Sequence, residues 1–76
     1  MNTEAQVRLV LSKLRNKEVV TQKAANDWFH PVGRLAARIQ DLRDAGHRID
    51  TQLVKNTHNH GRHGVYRLIK EAENGT

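Results

Sequence analysis

His58, His60 and His63 stand at His-x-His-x-x-His spacing, the arrangement in this 76-residue chain that comes nearest to a metal-ligand set. Three imidazoles can hold zinc, but a closed site needs a fourth donor, and the chain has no cysteine to supply one. The cluster therefore reads as part of a polar loop whose imidazoles would strengthen anion binding when protonated. Neither a metal nor a cofactor is expected. Catalysis has no visible machinery either. No nucleophile stands in a pattern with a base and an oxyanion donor, and a paired-carboxylate site would need acids where the sequence places arginines. The chain is not expected to be an enzyme.

The arginines carry more information. Arg34 and Arg38 are one helical turn apart and off the stripe used by Leu35 and Ile39, so both are expected to point outward together. A guanidinium fork fits guanine O6 and N7, or a phosphate, with two parallel bonds. The plainer alternative pairs Arg38 with Asp41 on a solvated face. Ala37 could meet a thymine methyl or serve only as a good helix former, and Gln40 falls nearer the flank. Gln22 and Lys23 open another helix behind Thr21, where free N–H groups and partial positive charge suit a phosphate. Arg62, in Gly61-Arg62-His63-Gly64, is expected at a loop tip that could enter a minor groove, with Lys55 and Arg67 assisting on phosphates.

Thirteen Lys and Arg against eight Asp and Glu give a formal charge of +5, and the pI is near 10.3. Residues 31–70 hold eight of the bases and three of the acids, so the excess sits in the second half. Such a balance suits an anionic partner. No apolar run approaches the ~20 residues of a membrane span, and Met1-Asn2-Thr3-Glu4 lacks the layout of a signal peptide, so no membrane partner and a cytoplasmic location are expected.

The elements that must position these residues follow from periodicity. Thr3 and Gln6 have capping-box spacing, and Val7, Val10, Leu11 and Leu14 then mark one face of a first helix. Glu18-Val19-Val20 could form a short strand. Thr21 caps a second helix from Gln22 to about Trp28, and Pro31 can open a third over residues 32–45 with Leu35, Ile39 and Leu42 buried. Gly46 ends it in a left-handed cap. Ile49, Thr51 and Leu53 alternate as the inner side of a strand, a polar loop follows, and Val65 to Ile69 forms the returning strand. Trp28, Phe29 and Tyr66 are expected in the core. Residues 1–70 make one mostly α domain with a small β-hairpin, and residues 71–76 a flexible tail.

Three helices, a hairpin and a short strand between the first two helices follow the winged helix-turn-helix order, with a two- or three-stranded wing sheet. Val19-Val20-Thr21-Gln22-Lys23-Ala24-Ala25, the run from Arg34-Leu35-Ala36-Ala37-Arg38-Ile39 through Gly46-His47-Arg48-Ile49, and Val65-Tyr66-Arg67-Leu68 resemble the small domains of this kind found in phages and prophages. The resemblance spans roughly residues 4–69. It implies a double-stranded DNA-binding protein of a bacterial host cell or nucleoid, with residues 32–45 in the major groove and residues 55–64 as a wing on the backbone or minor groove. A transcriptional regulator would form a homodimer on two half-sites, whereas an excisionase-like architectural factor would line up head to tail. The alternative is an adaptor or inhibitor that keeps the fold and binds a host or phage protein.

Overall fold

Apolar side chains at helical spacing in the first 45 residues, and at alternate positions after Gly46, divide the chain into a helical body and a hairpin. A computed structural model describes residues 2–72. Helix α1 spans Thr3–Arg15, α2 Gln22–Asp27 and α3 Leu35–Asp44, followed by strands β1, Arg48–Lys55, and β2, Arg62–Lys70. The fold is mostly α with a small antiparallel wing, as the order of elements predicts.

Helix α1 begins at the residue expected to cap it. The Asn2 Oδ1 accepts from the Ala5 N–H at 2.8 Å, so Asn2 is the cap and Thr3 lies inside the helix. Val10 and Leu14 are buried and Val7 and Leu11 partly so, which is the stripe read from the spacing. Thr21 caps α2 through a bond from the Ala24 N–H to its Oγ at 3.0 Å. Leu35, Ile39 and Leu42 are almost wholly enclosed against Val10, Leu14, Val20, Ala25, Val32 and Ile49. Burying each such side chain contributes about 1.5–3 kcal/mol, and this cluster is the domain's core.

The α3 stop follows the expected motif. Gly46 has φ +103°, its N–H donates to the Arg43 carbonyl at 2.9 Å, and the His47 N–H donates to the Leu42 carbonyl at 3.1 Å. These are the two bonds of a Schellman cap. Arg43 then crosses to the hairpin, donating to the Ile49 carbonyl and to the Thr51 Oγ, both at 2.8 Å from Nη2.

In the hairpin Thr51 faces Tyr66, Leu53 faces Gly64, and Lys55 faces Arg62, with a register shift between Arg48 and Ile49. Val20 makes a single antiparallel bridge to Tyr66, whose N–H donates to the Val20 carbonyl at 3.0 Å. The expected strand before α2 is thus reduced to one residue that ties the wing to the body.

Four expectations are corrected. Helix α3 starts at Leu35 rather than near Pro31, for a reason given below. Phe29 is not in the core: it is 92% exposed, its ring edge-on to His30 at 4.7 Å, because the turn into Pro31 swings it outward. Leu53 is 64% exposed, since the hairpin runs past the body that covers Ile49. Glu71 and Ala72 do not hang loose. The Glu71 carboxylate accepts from the Arg15 Nε at 2.7 Å, and the Ala72 N–H donates to the His47 Nδ1 at 3.0 Å. The rest of the expected tail, residues 73–76, lies outside the described residues.

Candidate nucleic-acid interface

Gln22 sets the geometry of the helix-turn-helix. Its Nε2 donates to the Val32 carbonyl and to the Asn26 Oδ1, each at 2.8 Å, and its Oε1 accepts from the Leu35 N–H at 3.0 Å. The amide therefore caps α3 from thirteen residues upstream. Val32, fully buried, donates its N–H to the Ala25 carbonyl at 3.1 Å, which holds residues 31–34 as a turn and delays the helix to Leu35. With its side-chain amide engaged on all these partners, Gln22 is a strut of the turn, and these bonds leave untouched the backbone N–H groups expected to suit a phosphate at the start of α2.

Arg34 and Arg38 part company. Arg34 occupies the position before α3, is exposed, and its side chain has no polar partner among the described residues. Arg38 turns against α1: its Nη1 lies 3.4 Å from the Gln6 Oε1 and its Nε 3.1 Å from the Asp41 Oδ2, with the side chain only 15% exposed. The Nε–H points off line from that carboxylate, so it forms an ion pair without a proper hydrogen bond. The shared outward face expected for the two arginines is therefore corrected. At 100° per residue, Arg38 sits on the flank of the buried stripe, where α1 covers it.

The outward side of α3 instead carries Ala36, Gln40 and Asp44, with Ala37 half-buried. The Gln40 Nε2 donates to the Asp44 Oδ1 at 3.0 Å. Gln40, set aside on the sequence, is thus the long polar side chain displayed by α3. The angular spacing contained that signal. The small residues before it let the helix backbone approach a surface closely.

Between α2, α3 and the wing lies a cleft of about 460 Å³, bordered by Thr21, Lys23, Leu35, Ala36, Tyr66 and the loop residues 56–59, and no carboxylate lines it. The wing loop is held by its asparagines. The Asn59 Oδ1 accepts from the Gly61 N–H at 2.7 Å and from the Asn56 Nδ2 at 2.8 Å, and the Asn56 Oδ1 lies 2.5 Å from the His63 Nδ1. A Cβ on Gly61 would fall 2.9 Å from the Asn59 Oδ1, so the ring of bonds requires glycine there. Asn56 and Asn59 were missed on the sequence, although Asn two residues before Gly is the signature of an Asx turn.

Arg62 is in β2 opposite Lys55, at the base of the loop, so the expected tip at residues 61–64 shifts to residues 57–60. Lys23, Lys55 and Arg62 are exposed, and their side chains, like that of Arg34, have no polar partner among the described residues. Arg67 lies elsewhere, beside Lys17 and Glu18 in a separate hollow. His58 and His63 both border the cleft. Among the described residues, no three of His, Asp or Glu are gathered as a metal would need.

Among the described residues, no helix is long and apolar enough to cross a membrane. The family model for the winged helix-turn-helix domain matches residues 5–71, taking in α2, α3, both strands and all of α1 but its first two residues. No curated protein and no solved structure matches the chain. The match and the arrangement of α1 to α3 with the β1–β2 wing agree: this chain belongs to the winged helix-turn-helix domains, a non-catalytic DNA-binding fold.

Proposed function

We propose that the chain binds double-stranded DNA as a sequence-reading protein of the small phage and prophage type. In this reading α3 enters the major groove with Ala36, Ala37 and Gln40 toward the base edges, and the wing lies on the adjacent backbone or minor groove. The observation that carries it is the carboxylate-free cleft joining α2, α3 and the wing. Lys23 borders that cleft, Arg34 precedes α3, and Lys55 and Arg62 close the wing loop, all without an internal partner among the described residues. Cations that no acid neutralises are available for phosphates. Arg38, paired with Asp41, is not among them. Asp44 stands beside Gln40 on the outward face of α3, so backbone affinity comes from the four flanking cations and discrimination from Gln40, whose Oε1 and second amide N–H remain for adenine N6 and N7 beside its bond to Asp44.

Titration of a random 30-base-pair duplex pool with salt tests this. Each neutralised phosphate contributes about −0.9 to the slope of log K against log salt, so four contacts predict a slope near −3.6. Removing Arg34 or Arg62 is expected to flatten that slope by about 0.9 each. Binding that ignores salt, or none at low salt, would overturn the proposal in favour of an adaptor that meets a protein. Sequences selected from the same pool separate the two DNA roles: inverted half-sites mark a dimeric regulator, and direct repeats mark an excisionase-like array.

A further inference from the structure

The wing loop fixes the proton of one histidine. The Gly61 N–H can donate only to an oxygen, so the Asn59 atom it meets at 2.7 Å is Oδ1, and the Asn56 group that donates to the same atom is Nδ2. The other Asn56 atom, 2.5 Å from the His63 Nδ1, is then Oδ1, which carries no hydrogen. The His63 Nδ1 must be the donor. A neutral ring in this tautomer keeps its proton on Nδ1 and leaves a bare lone pair at Nε2.

That lone pair repels a phosphate oxygen. Adding a proton at Nε2 reverses the sign while the bond to Asn56 persists, and it turns the ring into a charged donor. The groups around His63 are also cationic or neutral: Lys23 of α2, His58 of the loop and Tyr66 of β2 share its cleft, Arg62 is its chain neighbour, and Lys55 of β1 stands opposite Arg62. No Asp or Glu lines the cleft. A phosphate would be the missing counterion for a charged His63.

We infer that His63 is a proton-coupled phosphate contact and that Asn56 is the residue positioning it. This rests on the DNA-binding reading above. Duplex affinity, measured by fluorescence anisotropy at fixed ionic strength in phosphate-free buffer from pH 8 to pH 5.5, is expected to rise on acidification. One coupled proton sets a limit of about tenfold per pH unit. His63→Gln is expected to remove that dependence, so that its affinity at pH 5.5 matches its own affinity at pH 8. The double variant His58→Gln and His60→Gln keeps it, and Asn56→Ala weakens it by releasing the ring. Nitrogen-15 NMR of the free protein at pH 8 is expected to show the Nδ1–H tautomer at His63. An Nε2–H tautomer, or a His63→Gln variant that retains the wild-type pH dependence, would overturn the inference and leave DNA binding intact. Failure to bind any duplex at any pH would remove both.

Discussion

Arg34 and Arg38 are separated by one turn and have opposite surroundings. Arg38 lays its stem between α1 and α3 and meets Gln6 and Asp41, whereas Arg34 stands in solvent ahead of the helix. Truncating Arg38 removes packing along its methylenes as well as charge. Gln22 is a similar case, because its loss strands the Leu35 N–H and the Val32 carbonyl at a partly buried turn. Arg38→Ala and Gln22→Ala are each expected to lower unfolding free energy by about 1–3 kcal/mol. Arg34→Ala is expected to stay within about 0.5 kcal/mol of the wild type while weakening duplex binding. Urea denaturation of the three variants, run beside a binding titration, checks the division. Equal stability for all three would mean that Arg38 and Gln22 support nothing.

At the scale of elements, whatever depends on local spacing was legible in the sequence. The stripes of α1 and α3, the Thr21 cap and the Gly46 stop each involve residues within one or two turns of each other. Gly46 gives the sharpest test, since φ +103° suits glycine and a Cβ there would meet the Ala72 Cβ at 3.2 Å. Gly46→Ala is expected to cost at least about 1–2 kcal/mol, read as a lower melting temperature. An unchanged melt would contradict the docking of Ala72. What the spacing could not reveal involves partners far apart in the chain. Gln22 moves the start of α3 from Pro31 to Leu35, and α1 covers Arg38, so neither outcome is written in the residues next to them. Strand alternation told which side Leu53 faces but not that the wing runs past the body and leaves it uncovered. Of the candidate site, Lys23, Arg34, Lys55 and Arg62 were legible as cations, and that their side chains lack partners among the described residues needed the fold. The loop network of Asn56, Asn59 and His63 needed the fold.

At the scale of the whole molecule, the described residues extend over 46 × 25 × 20 Å. Three groups of its cations differ in surroundings. Arg8, Lys13, Arg15 and Arg38 pair with Glu4, Glu18, Glu71 and Asp41, which neutralises much of the helical body. Lys23, Arg34, Lys55 and Arg62 belong to the elements that form the α2–α3–wing surface, whereas Lys17 and Arg67 share the hollow beside Glu18. Net charge draws the protein to a duplex, but only the first surface has a protruding helix and a wing to read it. The measurement that decides between them is amide chemical-shift mapping by NMR as a bound duplex is titrated into the labelled protein. The largest changes are expected at Lys23, Arg34, Ala36, Gln40 and residues 55–63. A duplex that instead shifts Lys17, Arg67 and the exposed side of α1, leaving α3 and the wing unmoved, would contradict the account.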